Sequence, residues 1–167
     1  MDKKLFWAGY VAGLLLTVAI GYYGYHKLTS VPKIDLAKIE LQSLSGIPLN
    51  LSYHNEKPLV VNFWATWCGP CREEFPAFNK AYAKYGDRVN FVMISDEDPE
   101  KITTFKSLGM YPFMFVRSVK SLDNYGINSI PLTYFYNAKG EQVGQKSGAI
   151  TQSELENEIQ KILTETH

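Results

Sequence analysis

A short apolar run, Pro58-Leu59-Val60-Val61-Asn62-Phe63-Trp64, stops three residues short of Cys68. A run of that length, rich in β-branched and aromatic residues, is the signature of a strand buried on both faces. Arg72-Glu73-Glu74 and the aromatics after them read as a helix. The segment Trp67-Cys68-Gly69-Pro70-Cys71 therefore sits where a buried strand hands over to a helix N-terminus. Unpaired backbone N–H groups and the positive end of the helix dipole favour a thiolate at such a place. These two cysteines are the only ones in the chain, so a framework of structural disulfides is excluded. Two cysteines this close would enclose too small a loop to stabilise a fold. They can instead pass between dithiol and disulfide with little backbone movement, and so carry two electrons.

A chain of 167 residues has room for one ordinary domain and an appendage. Hydrophobic residues at 46% and aromatics at 14% supply a packed core, and the formal net charge of zero gives no reason to expect nucleic acid as a partner. The appendage is expected at the front. Leu5 to Tyr25 carries no charge over about 21 residues, the length a bilayer-crossing helix needs. Lys3 and Lys4 precede it, His26 and Lys27 follow, and Tyr22, Tyr23 and Tyr25 crowd its far end like an interfacial belt. The lysine bias puts the N-terminus in the cytoplasm. A cleaved signal peptide is the alternative. It would leave a secreted, periplasmic form, but no small-x-small cleavage site is evident. Gly9-x-x-x-Gly13 has a helix-dimerisation spacing, which glycine-rich membrane helices also meet by chance.

The expected division is residues 1–27 as membrane anchor, 28–45 as linker and 46–167 as the folded domain. Within that domain, 47–51 alternates like an edge strand, 59–64 and 89–95 read as central strands, and 70–85 as a helix interrupted at Pro76. Asp98-Pro99-Glu100 opens a helix ending near Gly109. Residues 113–116 read as a short strand, and 132–136 with 142–145 as a hairpin around Asn137-Ala138-Lys139-Gly140. Thr151 and Glu154 form a capping box for the last helix. The order suggests an α/β domain with a central mixed sheet and helices on both faces.

Val61-Asn62-Phe63-Trp64-Ala65-Thr66-Trp67-Cys68-Gly69-Pro70-Cys71, followed by Arg72-Glu73-Glu74-Phe75-Pro76, resembles the active-site strand and motif of thioredoxin-fold proteins. It is most similar to membrane-anchored thiol–disulfide oxidoreductases of the TlpA/ResA type. The resemblance runs from about Gly46 onward and implies a thioredoxin-like fold behind one N-terminal transmembrane helix. It also implies roles. Cys68 would be the exposed nucleophile and Cys71 the buried resolving thiol. Ile130-Pro131 would be the cis-proline segment that, with Trp67, meets the substrate backbone. Glu74 would assist proton transfer, being one helical turn beyond Cys71. Asn62 departs from ordinary thioredoxins, which carry a buried aspartate there, and this shifts proton handling toward Glu74. No organic cofactor and no metal is required. Zinc would need two ligands beyond the cysteines, with only His26, His54, His167 or carboxylates to supply them.

The activity this implies is reduction of disulfides in extracytoplasmic proteins. The partners are disulfide-bearing protein substrates and a membrane electron-donor protein. The domain would sit outside the cytoplasm on a single-pass anchor in the cytoplasmic membrane, with cytochrome c maturation as one setting for the activity. Gly69-Pro70 between the cysteines points to a reducing couple. A disulfide-forming oxidant, a peroxiredoxin-like thiol peroxidase using Thr66 and Arg72, and a redox-inactive binding module stand as alternatives. The Asp96-Glu97-Asp98-Pro99-Glu100 cluster is read as a strand end feeding a capped helix.

Overall fold

The computed structural model describes residues 3–29, 34–51 and 57–164. The chain divides into two units, Met1–Pro32 and Lys33–His167. The first is a single helix, α1 (Lys3–Thr29). It contains no proline, so nothing removes a hydrogen bond along its length. The large apolar side chains described in it, Trp7 to Tyr23, are exposed within the unit. Among the described residues no helix is long and apolar enough to cross a membrane. The uncharged run counted in the sequence also includes Leu5, Phe6, Ala8 and Tyr25, whose side chains lie outside the described ones.

The second unit is built on seven strands: β1 (Leu41–Ser43), β2 (Pro48–Leu49), β3 (Leu59–Phe63), β4 (Asn90–Ser95), β5 (Met114–Ser118), β6 (Leu132–Tyr136) and β7 (Gln142–Ser147). They form one mixed sheet in the order β2-β1-β5-β4-β3-β6-β7. β3, β4 and β5 are parallel, while β6 runs antiparallel to β3 and pairs with β7. β3 lies between β4 and β6 and is buried at every position, as its unbroken apolar run requires. Pro48 sits on the edge strand, where its missing N–H costs no ladder bond.

Three helices complete the unit: α2 (Gly69–Tyr85), α3 (Pro99–Gly109) and α4 (Gln152–Thr164). They do not flank both faces of the sheet, as the element order suggested. Phe75, Phe78 and Ala81 of α2, Ile102 of α3 and Leu155, Ile159 and Ile162 of α4 share one core cluster with Val60, Met93, Phe115 and Phe135 of the strands. The reason is topological. The β3–α2–β4 and β4–α3–β5 steps move the same way across the sheet, and right-handed crossovers then put both helices on the same face. The alternate strand residues Leu59, Val61, Tyr134 and Tyr136 point the other way. There the Tyr136 hydroxyl donates to Ile34 O at 3.2 Å, so the chain leading into the domain helps close that face.

That contact corrects the expected linker. Residues 34–45 are part of the domain: Ile34, Leu36, Ile39 and Leu41 are buried, a 3-10 turn spans Leu36–Lys38, and β1 pairs with both β5 and β2. The segment lacks a strong period because one turn and three strand residues are too short to show one. Another expectation shifts less. Pro76 lies inside α2 without ending it. A 3-10 turn, Leu122–Tyr125, follows β5. The capping box of α4 forms: the Thr151 N–H donates to Glu154 Oε2 at 2.9 Å, and the Glu154 N–H donates to Thr151 Oγ1 at 3.3 Å.

Phe75 is the hub of the helix-covered core. Its ring centroid lies 4.8 Å from Trp64, 4.8 Å from Phe105 and 4.9 Å from Tyr111. Replacing it with alanine is expected to cost about 3–5 kcal/mol. A chemical-denaturation midpoint that does not move would show that this cluster is not what ties α2 to α3.

Candidate active site

The strand registers bring the functional segments to one end of the sheet. Phe63, the last residue of β3, pairs with Leu132, the first of β6, and Leu132 pairs with Ser147, the last of β7. Residues 64–71, 129–131 and 148–150 therefore all emerge at that end, with the carboxyl end of β4 beside them. The Cys68 N–H donates to Ala65 O at 3.2 Å and closes a turn after β3. Cys68 is then the N-cap of α2, and its Sγ accepts the Cys71 N–H at 3.2 Å. Pro70 occupies the first turn of the helix and has no N–H to satisfy. The helix N-terminus thus directs a donor at the first sulfur, the arrangement that favours a thiolate there.

Cys68 and Cys71 form a disulfide with S–S 2.01 Å and Cα–Cα 5.2 Å. Cys71 is fully buried, as expected. Cys68 is 5% exposed, not the open nucleophile the motif suggested. Trp67 beside it is 73% exposed and dominates the rim.

Glu74 is brought to the same place from α2. It is 3% exposed, which a carboxylate on an outward helix face would not be. Asn62 Nδ2 donates to its Oε1 at 2.7 Å, and the Ile150 N–H donates to its Oε2 at 2.9 Å. Burial outweighs both hydrogen bonds and pushes the carboxyl up from 4.5 to about 7. Asn62 also donates to Thr133 Oγ1 at 3.1 Å, while its own oxygen is buried without a partner. An amide oriented this way serves as a donor to Glu74, so the neutral residue in mid-strand supports the carboxyl rather than replacing it.

The Ile130–Pro131 peptide bond is cis. Pro131 is buried and Ile130 partly buried against the helix-covered core. The Gly148 N–H donates to Pro131 O at 2.9 Å, with Gly148 at φ 79°, a conformation that favours glycine. Since Ile150, two residues on, donates to Glu74, the loop before α4 joins the proline segment to the buried carboxyl.

Two contributors escaped the sequence reading. Thr133 and the Ile150 N–H belong to segments far from the motif in sequence, and no local pattern marks them. Glu97 was visible only as part of an acidic run. The Asp98 side chain makes no cap hydrogen bond to α3. Asp96 instead accepts the Leu122 N–H at 3.0 Å, and Glu97 turns back onto Thr66. A cavity of about 420 Å³ beside Thr66 is lined by Glu100, Lys101, Thr104, Phe105 and Leu108. Among the described residues no group of His, Cys, Asp and Glu is placed to hold a metal ion.

The profile of the AhpC/TSA family matches residues 32–142, from the chain entering the domain to the start of β7. This chain belongs to the AhpC/TSA family. Within that frame it is similar to the thioredoxin-like protein YneN of Bacillus subtilis, with 29% identity over 90% of this chain and 96% of YneN. It is similar also to the thiol-disulfide oxidoreductase ResA of Halalkalibacterium halodurans, with 28% identity over 99% of each. Among solved structures, a secreted disulfide oxidoreductase of Mycobacterium tuberculosis superposes with a TM-score of 0.63 at 27% identity, covering 75% of this chain and 96% of that one. StoA of Bacillus subtilis does so with a TM-score of 0.59 at 25% identity, over 77% and 98%. The shared fold of this AhpC/TSA member is thioredoxin-like, and the Cys68–Cys71 pair falls inside the matched region.

Proposed function

We propose that the chain is a thiol–disulfide oxidoreductase that reduces disulfides in proteins outside the cytoplasm, held at the membrane by α1. The observation that carries the chemistry is the disulfide between an N-capping Cys68 and a buried Cys71, with a buried carboxyl pushed up to about 7 one helical turn beyond Cys71. In the reducing direction the Cys68 thiolate attacks one sulfur of the substrate disulfide. That bond breaks, a mixed disulfide forms, and one substrate thiolate leaves and takes a proton. Cys71 gives up its proton, its sulfur attacks Cys68 Sγ, and the second substrate thiolate leaves. Two electrons pass to the substrate, and the Cys68–Cys71 disulfide is the product. In this reading Glu74, one turn beyond Cys71, takes and returns the proton. Trp67, Ile130 and Pro131 form the rim on which the substrate segment lies. Each turnover consumes the dithiol, so a reductant must restore it, and in this reading that reductant is a membrane electron donor.

The uncharged run from Leu5 to Tyr25 and the lysines before it support an anchor with the domain on the outer side. A tether also raises the local concentration of donor and substrate. A peroxide-consuming reading draws on the family match, but the Thr66 hydroxyl it would need is already donated to Glu97 at 2.7 Å. The full-length chain in detergent, reduced beforehand, is expected to reduce insulin and to leave hydrogen peroxide largely unconsumed. In cells it is expected to stay with the membrane fraction after alkaline washing. Peroxide turnover without insulin reduction would replace this reading with the peroxidase one, and release by alkali would remove the anchor.

A further inference from the structure

The turn that presents Cys68 is held from outside its own segment. Glu97, two residues past the end of β4, directs both carboxylate oxygens at Thr66. Oε2 accepts the Thr66 N–H at 2.5 Å, and Oε1 accepts the Thr66 hydroxyl at 2.7 Å. Ser95 steadies the carboxylate: its hydroxyl donates to Oε2 at 3.4 Å and accepts the Glu97 N–H at 3.3 Å. Thr66 is the second residue of the turn closed by the Cys68 N–H on Ala65 O, and Trp67 is the third. Hydrogen bonds to an ionised acceptor are roughly twice as strong as neutral ones. Two of them on one residue fix its orientation as well as its distance. The grip comes from the neighbouring strand, so it references the turn to the sheet and not to the helix it starts.

We propose that Glu97 is a positioning residue for disulfide exchange: by gripping Thr66 it sets the attitude of the exposed Trp67 beside Cys68, and so decides how well a protein disulfide docks. This rests on the exchange reading above. Glu97 touches no reacting atom, so its removal should spare the chemistry of a small disulfide, which needs little of the rim. Asp96 provides the control. It leaves the same strand end but holds Leu122 and Ser121, in a different loop.

Two readouts on the full chain test this. In the disulfide form, Thr66 amide hydrogen exchange reads the grip without any turnover. Insulin reduction, with KM and kcat separated, is then compared with reduction of glutathione disulfide. In Glu97→Ala the Thr66 amide is expected to exchange at least about tenfold faster, the scale of losing one charged hydrogen bond. The KM for insulin should rise about tenfold with kcat nearly unchanged, and glutathione disulfide should react as before. Thr66→Val should move insulin KM the same way by less, Thr66→Ser should restore it, and Asp96→Ala should leave it alone. An amide no faster in Glu97→Ala overturns the grip. A faster amide with unchanged insulin KM, or an equal loss on glutathione disulfide, overturns the docking role. If the unaltered chain fails to reduce insulin, the proposed function falls, and the exchange result still decides whether Glu97 holds the turn.

Discussion

Replacing Cys71 with alanine is expected to stop turnover while leaving the first chemical step intact. Cys68 still stands at the N-cap of α2, where the N–H of residue 71 is directed at its sulfur. Alanine keeps that N–H. The attack on a substrate disulfide therefore proceeds, and the mixed disulfide then has no internal thiol to release it. Insulin reduction should fall on the order of a thousandfold or more, as expected when a nucleophile that acts in every cycle is removed. Proteins should instead accumulate on Cys68 as adducts that a reducing agent dissolves. Cys68→Ser should lose turnover equally and trap nothing, because the first bond never forms. The pair of variants separates the two sulfurs: adducts on Cys68→Ser, or full turnover in Cys71→Ala, would reverse or abolish the assigned order of attack. Identifying the trapped proteins also tests topology, since proteins resident outside the cytoplasm are expected.

Glu74→Gln carries the second large effect, and it has two signatures. The first is kinetic. A positioned acid–base group contributes about a hundredfold or more, so kcat for insulin should drop by at least that factor. The wild-type pH profile is expected to inflect near pH 7, following a carboxyl raised to about 7, and the inflection should vanish in the variant. The second is thermodynamic, and its sign follows from which state holds the proton. The Glu74 carboxyl titrates at 4.5 when unfolded and at about 7 in the folded domain. Between those values the folded chain binds a proton that the unfolded chain has lost, so stability falls as pH rises. The contribution is fully present below pH 4.5 and lost as pH passes 7, on the order of 3 kcal/mol in all. Wild type should lose stability relative to Glu74→Gln over that window, and the difference should flatten on either side. Thermal midpoints of both at pH 4.5, 6 and 8 check this, and a constant difference would mean that the carboxyl keeps its ordinary affinity. Glu154, pulled down to about 2 by Lys146 and by Thr151, titrates outside the window.

How much of this was legible beforehand depends on the range of the interaction. The dithiol, its strand and its helix are contiguous within residues 59–85, and the apolar run, proline and cysteine spacing all carry local physical meaning. So do the capping box at Thr151 and the hairpin of β6 and β7, each set by a few adjacent residues. The Ile130–Pro131 segment was found from its motif, and the registers of β3 and β6 then account for its place at the same end of the sheet. The placement of Glu74 was only half visible. Spacing from Cys71 put it on the right turn of the helix, but nothing local distinguishes it from Glu73, which is exposed.

What the sequence by itself determined is therefore the reactive pair, the strand and helix that carry it, and the succession of elements in a mixed α/β sheet. Each follows from periodicity, capping and turn chemistry, which act over a handful of residues. Only the tertiary structure decided that residues 34–45 belong to the domain, that α2, α3 and α4 share one face, and that Asn62, itself bonded to Thr133, and the Ile150 N–H converge on one carboxyl. It alone turned Glu97 from a member of an acidic run into the clamp on Thr66. These outcomes depend on strand order and on the handedness of crossovers. Both bring together residues dozens of positions apart, and the free energy of such contacts is fixed by burial, which no single segment encodes.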